Sequence, residues 1–410
     1  MAPPAAWPFS RRRRLLLGGL GAGIAGILPA ETAEAPRRPQ HVDKIGSKGG
    51  AIVPPLVVSL ADLGGVPGAA PEALVRGFER AFGILADAGG GTLLVPPGLY
   101  DFGTRSDASP IILCRGARDI AISAYGASFH ATTAGKLMPS LFYFFNFSNL
   151  TLAGASFFDK GFTPWVDWQG MYCVGLQADA ASSGFNMVDC YAERVLGLLS
   201  SNNNVTTRSY LKGIKVRGEV RDSYYGVGAN YVCGGVDVDL SCHNVRRAFI
   251  AYGLKDADIA VRVSCTPDWP GSNGLIALVS EGASMGNVEK VRVRVDVTGA
   301  CIHASYVHFY HQGPEKRGSM HDIDATVNLM HVEGARTMFT FDHETEGVIA
   351  RTQRSWDRIR LHGKVAGAFD GRVIANPTVS SVPGTIYLDA KLAALARGEK
   401  LAASFRVRPS

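Results

Sequence analysis

Short apolar runs that alternate with polar positions recur along most of the chain, each closed by Gly, Asn or Asp. Ile120-Ala121-Ile122-Ser123, Leu150-Thr151-Leu152-Ala153-Gly154 and Ile214-Lys215-Val216-Arg217-Gly218 come first. Val236-Asp237-Val238-Asp239-Leu240, Ile259-Ala260-Val261-Arg262-Val263, Val291-Arg292-Val293-Arg294-Val295 and Ile359-Arg360-Leu361-His362-Gly363 follow. Alternation of this kind marks strands with one buried face. Val216, Val238 and Val261 predict steps of 22 and 23 residues, and later steps are longer, as loops inserted between strands require. A period of roughly 20–30 residues built from short strands is that of a β-solenoid, where stacking supplies the core that no single coil can bury. A second strand is expected in each coil, at 226–230, 248–253, 275–281, 305–311, 337–344 and 372–376. No long helical pattern interrupts this region, which argues against a doubly wound α/β fold.

One helix is predicted upstream, over 71–88. Pro71 suits its first position, and Leu74, Phe78, Ala81, Phe82 and Leu85 share one face. Gly89-Gly90-Gly91 ends it, and Thr92-Leu93-Leu94-Val95 reads as a short buried strand before Pro96-Pro97-Gly98-Leu99-Tyr100. An amphipathic helix followed by this glycine-rich turn and V-P-x-G-x-Y resembles the N-terminal module of the pectin-lyase-like β-helix superfamily, over Pro71 to Tyr100. Just upstream the chain departs from it, with Gly64-Gly65-Val66-Pro67-Gly68-Ala69-Ala70 where relatives commonly carry an Asp-rich stretch. The resemblance implies an all-β, right-handed parallel β-helix whose helix caps the open end of the stack, and a carbohydrate substrate class. A β-sandwich also has short strands and turns, but it does not explain this helix-and-glycine opening. The expected organisation is an export signal at 1–35, an irregular lead-in at 36–70, the β-helix at 71–390 and a closing segment at 391–410.

Arg11-Arg12-Arg13-Arg14 stands directly before an apolar, Gly- and Ala-rich run from Leu15 to about Ala30, too short and glycine-rich for a comfortable membrane span. The pattern resembles a twin-arginine export signal, which implies the twin-arginine export machinery as a partner and a periplasmic or secreted destination. Ala33-Glu34-Ala35 offers a cleavage site, but Pro36 after it hinders cleavage, so a retained anchor is the other reading. The net charge of +6 includes this basic segment. No later Lys/Arg block carries interleaved aromatics, which argues against nucleic acid as a partner. A mildly basic surface suits an acidic glycan. Seven cysteines leave at least one unpaired. Val188-Asp189-Cys190, Leu240-Ser241-Cys242 and Val263-Ser264-Cys265 repeat one frame, which predicts a stacked interior column rather than a disulfide framework.

The second strand set supplies candidate chemistry. Turning Val307, Phe309, Phe339 and Phe341 inward turns His308, Tyr310, Thr340 and Asp342 outward. The resulting ladder is Asn230, Tyr252, Glu281, His308, Tyr310, Asp342 and Asn376, on rungs about 4.8 Å apart. A sugar chain along it would stack on the aromatics and hydrogen-bond the polar groups. Glu281 and Asp342, two rungs apart, stand near the roughly 6.5–9.5 Å that inverting glycosidases hold between carboxyls. A lyase needs a base, an acid and a cation: Tyr310 or His308 could supply base and acid, and Arg246 or Arg247 the cation for the carboxylate. Trp165 and Trp168 flank Asp167 as a sugar-binding lip or a cover on the stack, and Tyr224-Tyr225 offers the same. His308 and His311 should face opposite sides of one strand, which disfavours a metal site from His303, His308 and His311. No cofactor motif is present. Asp342-His343-Glu344 is acidic enough for a calcium contact, though no ordered run of acidic ligands accompanies it.

The polygalacturonase motifs N-T-D, paired Asp, G-H-G and R-I-K do not occur in order (Gly213-Ile214-Lys215 is not R-I-K), and the pectate-lyase calcium acids are not recognisable. The expected function is therefore an exported protein acting on an acidic polysaccharide, as a lyase first and a glycoside hydrolase second. The alternative is a non-catalytic β-helix that binds or organises exopolysaccharide. The sequence leaves the oligomeric state open.

Overall fold

The computed structural model describes residues 56–407, except 167, 202–210, 270, 282–285, 301–302, 313–318, 335, 344–354, 376–384 and 397–404. The export signal at 1–35, the lead-in as far as residue 55, Asn376 and Glu344 lie outside the described residues. What is described is a right-handed parallel β-helix. Every strand pairing is parallel and joins one coil to the next, the hand that parallel crossovers take. One interior column shows the stacking: Val58, Leu93, Ile122, Leu152, Met187, Val216, Val238, Ile259, Val293, Ala325, Leu361 and Leu388 stand in register, each against the next. All are buried, so each coil's apolar face is covered only by its neighbours above and below.

The helix forms where its apolar spacing predicts. α1, Pro71–Asp87, buries Leu74, Phe78, Ala81, Phe82 and Leu85. Phe78 is the plug: its ring meets Phe142 at 5.4 Å and Phe129 at 6.1 Å, inside the first coils. The opening strand is Gly91–Leu94. Residues 57–59, expected to be irregular, instead form a strand that pairs with it. The reason is the exposed edge of the first coil, whose backbone groups need partners. At the other end Asp389 caps α2, Ala390–Leu395, by accepting the Leu392 N–H at 2.8 Å. Leu392 is buried beside Gly363, and Phe405–Val407 adds a last strand on Ile386–Leu388.

Two register expectations are corrected. Val238 pairs with Ile259, not Val261, so that step is 21 residues rather than 23. The cysteines consequently share no column: Cys190 faces Gly218, Cys242 faces Val220 and Val263, and Cys265 faces Gly299. A shift of two residues preserves the inward face, so burial is satisfied without aligning like residues. Cys190, Cys242 and Cys265 are buried free thiols, and burial pushes the Cys190 thiol up to about 12.

The predicted second strand set forms a second face of the coil stack. Its rungs include Ser140–Phe145, Tyr172–Gln177, Gly197–Ser201, the ends of Leu211–Gly228 and Val236–Tyr252, then Ile276–Glu281, Val307–Gln312, Thr337–His343 and Arg372–Ala375. Phe249, Ile276, Val307 and Phe339 line its inner face in one column and are fully buried.

Candidate functional site on the second strand set

Alternation along Val307–Gln312 sends Val307 and Phe309 into the core and leaves His308 and Tyr310 on the outer face. The next rung repeats it: Thr340 stands opposite His308 and Asp342 opposite Tyr310. His308 Nε2 lies 3.8 Å from Asp342 Oδ2, and the His308 and Tyr310 rings are 5.5 Å apart. His308 Nε2 is buried with no hydrogen-bond partner among the described residues, a costly state for a polar atom unless a partner arrives. His311, by contrast, points inward, where it meets Ser280 Oγ at 3.0 Å and packs, tilted, against the Trp356 ring at 4.6 Å. Among the described residues no group of three His, Cys, Asp or Glu side chains could hold a metal ion.

Arg247 begins the site two rungs earlier. It pairs with Tyr225 in register, and its Nε donates to the Gly274 carbonyl at 3.2 Å. Among the described residues it forms no salt bridge. Burial pushes the Tyr225 and Tyr252 phenols up, and the Arg247 charge pulls both back down, which places all three groups in one electrostatic neighbourhood. Gly274 joins Arg247 to His308. A Cβ at Gly274 would stand 2.6 Å from His308 Cβ, so only glycine lets His308 lie against that turn.

An aromatic wall flanks these groups. Trp168 stands 6.0 Å from the Tyr224 ring and 5.9 Å from that of Tyr225; Tyr224 and Tyr225 are 4.6 Å apart. Arg246 lies over Tyr224 at 4.3 Å, and its Nη1 donates to the Pro164 carbonyl at 3.2 Å, tying the Trp165–Trp168 loop to the sheet. Trp165 is 67% exposed at the outer end of that loop. Tyr252, Ile250, Ala277 and Val279 continue the same outer apolar cluster, with Tyr172 and Tyr310 packed against it.

The sequence-predicted residues therefore fall into three groups. Arg247, Tyr252, His308, Tyr310 and Asp342 share the outer face, with Trp168 beside it and Trp165 at the lip. Tyr252 is oriented outward yet 6% exposed. Asn230 sits at the margin: its N–H donates to Ser201 Oγ at 2.6 Å, while its buried Oδ1 has no hydrogen-bond partner among the described residues. Glu281 is offset. It pairs with Gln312, whereas Asp342 pairs with Tyr310 and so with the column of Val279. Two rungs and two residues separate the backbones of Glu281 and Asp342, or about 12 Å at ordinary strand spacings. The ladder drawn from the sequence set them on one column; strand alternation fixes a residue's face but not its place along the strand. Tyr172, Gly274 and the junction of Tyr225 with Arg247 escaped sequence reading, because only the register brings them together.

A separate concavity of about 560 Å³ lies on the outer face of the long strands, lined by residues that include Arg221, Arg262, Arg294 and Lys364. Its arginines are committed: Arg221 to Glu219, Arg262 to Asp239 at 2.7 Å and Arg294 to Asp296 at 3.0 Å. These are exposed pairs of a solvated face.

The sequence matches no protein-family model and no curated protein. Solved structures do resemble it. A tailspike protein of E. coli bacteriophage HK620, in complex with a pentasaccharide, is 12% identical with a TM-score of 0.49, over 86% of this chain and 63% of that one. This chain therefore spans less than two thirds of the tailspike's length. A hyperthermoactive exopolygalacturonase from Thermotoga maritima is also 12% identical with a TM-score of 0.49, over 82% and 88%. The A-module of a mannuronan C-5 epimerase from Azotobacter vinelandii is 11% identical with a TM-score of 0.31, over 86% and 99%. At such identities the likeness is one of fold, and function has to be read from the site.

Proposed function

We propose that this chain is an exported polysaccharide lyase that cleaves a uronate-containing polymer lying across the rungs of the second strand set. One observation carries the reading: Arg247, without a salt bridge among the described residues, is anchored through Gly274 beside His308, whose buried Nε2 has no hydrogen-bond partner among them. β-Elimination needs those parts. Arg247 receives the uronate carboxylate and stabilises the negative charge that develops when the C5 proton leaves. Asp342 accepts from His308 Nε2–H once the pair closes from 3.8 Å, which leaves Nδ1 to take the C5 proton. The C4–O bond breaks, a C4–C5 double bond forms, and the Tyr310 phenol returns a proton to the leaving oxygen. Trp165, Trp168, Tyr224 and Tyr225 offer stacking surface for sugar rings on the preceding rungs. The arginine run before Leu15 supports the export part of the proposal.

The test is a panel of uronate-containing and neutral polysaccharides incubated with the purified protein. Ultraviolet absorbance from an unsaturated uronide, abolished by Arg247→Ala and reduced at least a hundredfold by Tyr310→Phe, is the expected result. That size follows from losing one general acid. New reducing ends without that absorbance would mean hydrolysis. Binding without either signal would make the protein a glycan binder and end the lyase reading.

A further inference from the structure

Behind Arg247 lies a chain of hydrogen bonds, buried at its His303 end, that the reaction itself does not use. His303 is 1% exposed. Its Nε2 stands 3.8 Å from Cys265 Sγ, and its Nδ1 is 3.5 Å from Ser272 Oγ. Ser272 Oγ in turn lies 2.9 Å from the Gly274 carbonyl, the same oxygen that accepts from Arg247 Nε. Proton counting fixes the direction of the links through Ser272. The Gly274 carbonyl can only accept, so the single Ser272 hydroxyl proton points to it at the shorter distance. Ser272 Oγ must then accept from His303, which puts the imidazole proton on Nδ1. Nε2 of the neutral ring is left with a lone pair facing Cys265 Sγ.

We infer that His303 and Ser272 are positioning residues. His303, as the neutral Nδ1–H tautomer, orients Ser272. Ser272 fixes the Gly274 carbonyl, and that carbonyl holds Arg247 by Nε so that its terminal nitrogens face a uronate carboxylate. The substrate part rests on the lyase reading; the hydrogen-bond chain does not. Two further observations support it. Burial, with the Arg247 and Arg246 charges, lowers His303 from 6.5 to about 3, so it stays neutral at ordinary pH. The turn that Ser272 ties is also the one against which His308 packs. One turn thus sets the places of both the cation and the base. Groups behind a directly acting residue commonly carry tenfold to hundredfold effects, as those behind metal ligands do.

Two measurements test the inference. Selective ¹⁵N-histidine spectroscopy at neutral pH should show one ring, missing in His303→Gln, protonated on Nδ1 and bare on Nε2. An Nε2–H tautomer or an imidazolium would overturn the chain, whatever the protein's activity. Ser272→Ala should then weaken binding of an oligouronate about tenfold while leaving its methyl ester unchanged, with Ser272→Thr restoring the difference. A merely structural role would weaken both ligands alike. An unchanged preference in Ser272→Ala would sink the positioning role. If the unaltered protein binds no uronate, the lyase reading fails, and the tautomer measurement still decides the chain on its own.

Discussion

At the scale of single residues, the site depends on an atom that is missing. Gly274 has no Cβ, and one placed there would overlap His308 Cβ at 2.6 Å. Both atoms are attached directly to backbone, so neither can swing away. Gly274→Ala must therefore move the turn or His308. Forcing a methyl group into such a contact costs about 1–3 kcal/mol, and the displacement falls on the base and on the carbonyl holding Arg247. The expected outcome is a modest drop in melting temperature together with a loss of turnover far larger than that drop explains. Gly83→Ala is the control. Gly83 lies within α1, and a Cβ there meets nothing within 4 Å, so alanine should raise stability by about 0.8–1 kcal/mol and leave activity unchanged. Equal activity in the two variants would remove Gly274 from the site.

At the scale of elements, the capping helix holds the first coils through Phe78, which meets Phe82, Phe102, Phe129 and Phe142. Phe78→Ala leaves the first coils with a cavity and should cost about 3–5 kcal/mol, measured by chemical denaturation. A cost under about 1 kcal/mol would mean that the helix does not close the stack. This helix was legible in the sequence because its signal is local: five apolar residues at helical spacing, a proline at the start and glycines at the end. The faces of Val307, His308, Phe309 and Tyr310 were legible for the same reason, since alternation is a property of one strand. Register is not. It depends on the number of residues in each intervening turn, and a slip of two keeps every apolar residue inside. The cysteine column and the common column of Glu281 and Asp342 therefore failed on alignment, though the cysteines are buried as expected. The link from His303 to Ser272, 31 residues apart, belongs to the same hidden layer.

At the scale of the whole molecule, a stack in which each coil touches only its neighbours is as stable as its interfaces, and two kinds of titrating group bear on them. Asp322 bonds Arg358 on the next rung, and that guanidinium, with His321, holds its carboxyl well below the usual range. This contribution is full above the ordinary carboxylate pKa and is lost as pH falls through the lowered one. His303 acts earlier. Its folded value of about 3 lies below the ordinary 6.5, so between those values the unfolded chain takes up a proton that the folded chain refuses. Stability is then full above pH 6.5 and falls with acid by up to about 1.4 kcal/mol per pH unit. His303 sits in the middle of the stack, where its protonation would separate the coils on either side rather than fray an end. Urea midpoints measured from pH 8 to 4 should decline below pH 6.5 in the unaltered protein. They should decline less steeply in His303→Gln, which has no proton to take up. Parallel declines in the two would show that acid enters the fold elsewhere, and that His303 is not the buried neutral imidazole on which Arg247 depends.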